Sequence, residues 1–243
     1  MPKYNMNKRL LLLSNSTNPG EPYLSWPESH IKDFLGSSVK KILFIPYAGV
    51  TISYDDYFAA VATQLIAFGY QVDSIHQLEI HAEIIDNYDA LAIGGGNTFQ
   101  LASLLQKNRL MESIRKAVEN GMPFMGWSAG SNITCPTIMT TNDMPIVEPD
   151  SFDGLNLIPF QINPHYTEAT IPNHGGESRD MRIQEYIALN KNATVIGIPE
   201  GSLLRQEGDQ LFFVGKGSCK VFIHGKSTHL YKDGDDLSWL LQT

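Results

Sequence analysis

Short apolar runs of β type alternate with segments of helical periodicity along the first half of the chain, and two of those runs break directly into glycine. Residues 9–14 (RLLLLS), 41–45 (KILFI), 70–75, 90–93 (ALAI) and 123–127 read as strands. Between the second and third, Phe58, Val61, Leu65 and Phe68 recur at three- and four-residue steps, the mark of an amphipathic helix that Gly69 closes. Asn97 is placed to cap a helix carrying Phe99, Leu101, Leu104 and Leu105, and a further helix spans about residues 110–119. Strands separated by helices form right-handed crossovers, so the pattern predicts an α/β fold: a mostly parallel sheet with helices on both faces. Such sheets carry their sites at the carboxyl ends of the strands. The stretches GGGN (94–97) and GWSAG (126–130) both fall at such ends, which predicts that they are neighbours in space.

The second half changes texture. Residues 157–162 (LIPFQI) read as a strand ending at Asn163-Pro164-His165, Ser178 opens a helix running to about Leu189, and residues 194–198 read as a buried strand. Beyond them, short alternating runs divided by EGDQ, GKGS, HGKS and KDGDD signal C-terminal antiparallel hairpins that close the sheet. No linker, repeat or charge run divides the chain, so residues 1–243 are expected to form a single domain.

G-x-S-x-G between a strand and a helix is the pattern of a nucleophile elbow. The glycines remove the Cβ atoms that a tight strand–helix turn would drive into neighbouring backbone, and the turn exposes the Ser128 hydroxyl at the sheet edge. The Ala129 N–H, starting the next helix, is placed to face a developing oxyanion. The plainer reading is a glycine-rich turn with a capping serine. A serine needs a base to act as a nucleophile. Of the seven histidines, His30, His76 and His81 sit in helical or connecting segments and read as surface residues. His174 lies in a loop, and His224 and His229 lie in the hairpins. His165 alone follows a buried strand at the end where the site belongs, behind Pro164, and is the candidate base.

Two carboxylates are candidates to orient it: Asp143 in TTNDMP and Glu200 in GIPEGS, and the residues leave that choice open. The serine–acid–histidine order of ordinary α/β-hydrolases would select Asp209 with His224 or His229 instead. These lie among hairpin signals, and no HG-type oxyanion loop is present, so that assignment is disfavoured. GGGN lacks the third glycine of a dinucleotide fingerprint, because Phe99 stands there, and no P-loop lysine follows. Gly95 or Gly96 is better read as the second oxyanion donor. No metal-ligand spacing is present, and no metal or other cofactor is expected. A formal charge of −8 argues against nucleic acid or an anionic membrane as partner. Two cysteines in apolar surroundings, with neither a signal-like leader nor a span-length apolar segment, point to the cytoplasm.

The segments LLLLSNST, FIPYAGVT, GGGNTFQL, GWSAGSN, CPTIMTTNDMPIV, FQINPHYT, GESRDMRI and VIGIPEGS, in that order, resemble the peptidase E family of α-aspartyl dipeptidases. The resemblance runs from the first strand to about Gly201, with the hairpins matching loosely. It implies a class I glutamine amidotransferase-like fold and hydrolysis of small Asp-X peptides by a monomer or homodimer without a cofactor. It implies Ser128 as nucleophile, His165 as base and Asp143 as third member, with Glu200 as the fallback. It further implies that Arg179 holds the side-chain carboxylate of an N-terminal aspartate, a contact that suits a guanidinium fork. A cyanophycinase-like peptidase is the nearest alternative on the same scaffold, but Trp127 and the NDMP context fit peptidase E better. A non-catalytic binding module is the alternative of a different class.

Overall fold

The structure, a computed structural model, describes residues 8–169 and 175–242, so His174 lies outside the described residues. Along the chain run β1 (Arg9–Leu13), α1 (Glu28–Leu35), β2 (Lys41–Ile45), α2 (Tyr54–Ala67), β3 (Gln71–Ser74) and β4 (Ala90–Ile93). Next come α3 (Thr98–Lys107), α4 (Met111–Glu119), β5 (Phe124–Trp127), α5 (Ala129–Asn132) and β6 (Gln161–Asn163). The remainder comprises α6 (Arg179–Leu189), β7 (Thr194–Gly197), β8 (Ser202–Glu207), β9 (Gln210–Gly215), β10 (Ser218–Ile223) and β11 (His229–Lys232).

The strands form two sheets, one in the order β3-β2-β4-β5-β1-β8-β9 and one in the order β11-β10-β7-β6. In the first, β3, β2, β4, β5 and β1 pair in parallel, as the βαβ pattern predicts, and the β8–β9 hairpin extends the sheet antiparallel to β1. The four leucines of β1 show why a continuous apolar run makes a central strand. Leu11 and Leu13 pack with Ile31 and Phe34 of α1 and Val61 and Leu65 of α2. Leu10 and Leu12 face the other way, in the cluster that holds Leu101 of α3, Ile114 of α4, Ile162 of β6 and Ile196 of β7. All four leucines are fully buried, each contributing about 1.5–3 kcal/mol. Helices therefore cover both faces, and the second sheet shares the core on one of them. Among the described residues no helix is long and apolar enough to cross a membrane.

Two sequence expectations change. The strand expected over 157–162 is confined to Gln161–Asn163. Leu157, Ile158 and Phe160 are buried all the same, so their apolar character reflects core packing, while Pro159 lacks the N–H that a ladder would use. The hairpins do not form one appendage. EGDQ joins β8 to β9 and HGKS joins β10 to β11, but GKGS carries the chain from one sheet to the other. There β10 pairs antiparallel with β7, which itself runs parallel to β6. The site-bearing ends of β6 and β7 thus belong to the second sheet.

Candidate active site

Ser128 occupies the turn between β5 and α5 with φ 53° and ψ −112°, a conformation that costs a non-glycine residue about 1–3 kcal/mol. Its neighbours hold it there. The Ser128 N–H donates to Leu13 O at 3.1 Å, and its carbonyl accepts from the N–H groups of Ser131 and Asn132, each at 2.9 Å. Gly130 permits the crossing: a Cβ at that position would lie 2.0 Å from Ile93 O, at the end of β4. A Cβ on Gly95 would lie 3.1 Å from Ser128 Cβ. GGGN and GWSAG are therefore in contact, as their places at strand ends predict.

His165 follows β6, also with positive φ (53°). Its Nε2 lies 2.9 Å from Ser128 Oγ, and its Nδ1 lies 2.7 Å from Glu200 Oε1. Glu200 follows β7, the parallel neighbour of β6, so adjacent strand ends deliver the histidine and its carboxylate together. The His165 and Glu200 side chains are 40% and 50% exposed, which leaves this pair open to water.

Asp143, the residue implied as third member, does not meet His165. Its Oδ2 accepts from the Thr98 N–H at 2.7 Å, the Thr98 hydroxyl at 2.6 Å and the Thr141 hydroxyl at 2.8 Å. Those bonds tie it to the start of α3, while the Nδ1 face of His165 is taken by Glu200. The correction has a topological cause. Asp143 arrives on the irregular segment between α5 and β6, whereas Glu200 ends the strand paired with the one that carries the histidine. The disfavoured α/β-hydrolase set also stays apart: Asp209 lies in the β8–β9 turn, and His224 and His229 lie at the β10–β11 hairpin in the other sheet. His76, read as a surface residue, is half-buried and joins Ser74 Oγ to Asp55 Oδ1.

Gly95 and Gly96 line the same cleft as Ser128. Gly94 N–H donates to Ile45 O and Asn97 N–H to Ala48 O, which brackets the two intervening N–H groups at the lip of the sheet. Gly96 has φ 136°, and a Cβ there would lie 2.1 Å from Ala48 O. Ala129 opens α5, so its N–H has no acceptor within the helix. The loop is fixed from beneath: Trp127 Nε1–H donates to the Tyr57 hydroxyl at 3.1 Å, which donates to Gly95 O at 2.9 Å. Burial, the largest cause, raises the Tyr57 hydroxyl well above its usual pKa, so it remains a donor at physiological pH.

Three positions of this framework were not singled out from sequence. Ser14 Oγ accepts from the His165 N–H at 2.8 Å and donates to Ile198 O at 2.8 Å, and Asn15 Oδ1 accepts from the Gly201 N–H at 2.8 Å. The end of β1 in one sheet thus holds both histidine and glutamate segments of the other. The available signal was a buried Ser-Asn pair directly after a leucine strand. Asn142 is the third. Its Nδ2 donates to Pro164 O at 2.7 Å, and its Oδ1 accepts from Arg179 Nη1 at 2.6 Å. Arg179 itself does not line the pocket around Ser128; Asn142 does. Desolvation, the largest cause, lowers the Arg179 pKa, with nearby Arg182 adding to it. Among the described residues Arg179 forms no ion pair with a carboxylate within 4.0 Å.

A strand–helix serine in line with a histidine and a carboxylate is the side-chain arrangement of serine hydrolases. The chain belongs to peptidase family S51, whose model matches residues 10–214. It is a peptidase, and its family membership supports a serine dipeptidase. It is 51% identical over 237 residues to the peptidase E of Nostoc sp., covering 98% of each chain. It is 45% identical over 229 residues to the peptidase E of Shewanella denitrificans, covering 94% of this chain and 97% of that one. A solved structure of a peptidase from an acI-B1 actinobacterium superposes with a TM-score of 0.72 at 19% identity, over 96% of this chain and 98% of that one.

Proposed function

We propose that this chain is an aspartyl dipeptidase that cleaves Asp-X peptides through an acyl-enzyme on Ser128. The observation that carries the mechanism is the line from Ser128 Oγ through both nitrogens of His165 to Glu200. His165 Nε2 takes the Ser128 proton as Oγ attacks the carbonyl carbon of the aspartyl residue. Glu200 holds the Nδ1–H tautomer and stabilises the imidazolium that forms. The oxyanion is met by N–H groups of Ala129 and of Gly95 or Gly96. His165 then gives its proton to the leaving amine, the C–N bond breaks, and water repeats the sequence in reverse to release aspartate.

Arg179 supplies the preference for aspartate. Among the described residues the half-buried guanidinium pairs with no carboxylate within 4.0 Å, though the charge of Asp143 acts on it, and its bond to Asn142 leaves most of the fork for the substrate's side-chain carboxylate. The leaving residue enters the cleft of about 550 Å³ on the other side of Ser128, walled by Val50, Ile52, Tyr23 and Trp127. A panel of X-Leu dipeptides tests this reading. Aspartate at X is expected to exceed asparagine and leucine by at least about 10²-fold in kcat/KM; equal turnover across the panel overturns it.

A further inference from the structure

Lys220 stands where a helix-covered sheet face would ordinarily take an apolar residue. Along β10, Cys219 and Val221 belong to the main core, while Phe222, on the same side of the strand as Lys220, packs with Ile183 and Ile187 of α6. The Lys220 side chain is only 14% exposed, and burying an ammonium is costly unless charged partners compensate. We propose that Lys220 is a positioning residue for substrate selection: through Asp180 it fixes the start of α6, and with it the place of the Arg179 guanidinium. The proposal rests on the aspartyl dipeptidase reading and deepens it by naming what aims that guanidinium.

The partners of Lys220 lead directly to the site. Its Nζ donates to Asp180 Oδ2 at 2.7 Å and to Glu168 Oε1 at 2.5 Å. Asp180 Oδ1 accepts from the Tyr166 hydroxyl. Asp180 directly follows Arg179, and Tyr166 directly follows His165. Gly197 is the β7 partner of Lys220, and the Tyr166 ring fills the space above it: a Cβ on Gly197 would lie 2.5 Å from Tyr166 Cδ2. One ammonium therefore ties the first turn of α6 to the second sheet. The histidine segment does not depend on that tie, because the Tyr166 N–H donates to Ile198 O at 3.0 Å and the His165 N–H donates to Ser14 Oγ at 2.8 Å. The start of α6 is held less firmly. The buried residues of the helix, Ile183 and Ile187, both lie past its first turn.

Position matters for Arg179 because it reaches the site at a distance. Asn142 lines both the pocket around Ser128 and the pocket that Arg179 lines, so the guanidinium approaches from the far side of that residue. A displacement of about 1 Å in a positioning group can cost about 10²-fold in rate. Stability is a weak reason to keep the ammonium, since well-packed apolar residues in place of a buried ion pair are often neutral or stabilising. What an apolar residue at 220 could not do is hold Asp180, and through it the first turn of α6, in one place.

The test is a double-mutant cycle between Lys220→Met and Arg179→Met in the full chain, read as kcat/KM for Asp-Leu and Asn-Leu, with thermal unfolding followed for each protein. Methionine keeps most of the aliphatic stem and removes the charge. Lys220→Met is expected to lower the preference for Asp-Leu over Asn-Leu by about fivefold or more through KM, with kcat and the Asn-Leu reaction within about twofold of the unaltered enzyme. In the Arg179→Met background the same change is expected to alter Asp-Leu turnover by less than about twofold, because the group it positions is gone. Asp180→Asn, which leaves β10 intact and keeps an acceptor for Tyr166, is the second variant and is expected to lower the preference in the same direction. Equal losses on both substrates, or an undiminished loss in the Arg179→Met background, mark a structural role and overturn the proposal; so does an unchanged preference in both Lys220→Met and Asp180→Asn. If the unaltered enzyme shows no preference for Asp-Leu over Asn-Leu, the dipeptidase reading fails first and takes this proposal with it, a result distinguishable because it needs no variant.

Discussion

Glu200 Oε1 lies 2.7 Å from His165 Nδ1, on the side of the ring opposite Ser128. That contact, rather than one from Asp143, fixes the histidine's orientation. Glu200→Gln removes the charge while keeping a similar shape, and it permits the wrong tautomer. The expected result is a fall in kcat of about 10²-fold or more on Asp-Leu with little change in KM. Both partners are substantially exposed, so water moderates the loss relative to a buried triad. A steady-state profile in which KM rises and kcat holds contradicts this role.

Arg179→Met tests the specificity side of the site. It keeps the aliphatic stem and removes the guanidinium. The loss of a bidentate charged contact is expected to lower kcat/KM for Asp-Leu by about 10²–10³-fold and to leave poor substrates such as Asn-Leu within a fewfold of their starting rates. An unchanged ratio of Asp-Leu to Asn-Leu turnover removes Arg179 from recognition.

Gly130→Ala probes the close crossing that forms the elbow. The added Cβ would sit 2.0 Å from Ile93 O, which is backbone inside the central sheet and cannot move aside cheaply. The expected cost is about 2 kcal/mol or more in chemical denaturation. Gly225→Ala is the control for glycine replacement in general: it has open space around it and a φ of 70°, so its cost is confined to backbone strain of about 1 kcal/mol.

Lys8 gives a pH dependence whose sign follows from burial. It is 1% exposed, donates to Leu157 O, and its pKa is lowered from 10.5 to about 8, with burial the largest cause and Glu119 opposing. Between about pH 8 and 10.5 the unfolded chain therefore holds a proton that the folded chain has released, and this group's contribution to stability rises with pH across that window. Lys8→Met removes that slope. The difference in unfolding free energy between the two proteins is expected to change by up to about 3 kcal/mol from pH 8 to 10.5, and parallel stability curves contradict the assignment.

Much of this was legible because local chemistry and global fold agree. The four leucines of β1, the Asn97 and Ser178 caps and the glycines at the ends of β4 and β5 each specify their structure within a few residues. The Ser128–His165 pairing was legible too, since strand ends of an α/β sheet converge. The histidine's carboxylate was not. Asp143 and Glu200 are both loop acids within two residues of a proline, and only the parallel pairing of β6 with β7 brings Glu200 to Nδ1. Ser14 and Asn15 escaped notice for a similar reason. Their partners lie 151 and 186 residues away, just beyond β6 and β7, strands of a sheet whose existence no local pattern announced. The same blindness made GKGS look like one more hairpin when it is the crossing between sheets.

The most direct measurement is the turnover of Asp-Leu by Ser128→Ala protein, prepared free of host peptidase and matched in thermal unfolding to the unaltered enzyme. The account predicts a loss in kcat of about 10⁴-fold or more with the fold retained. Turnover within tenfold of the unaltered enzyme, from a protein that unfolds at the same temperature, would contradict it.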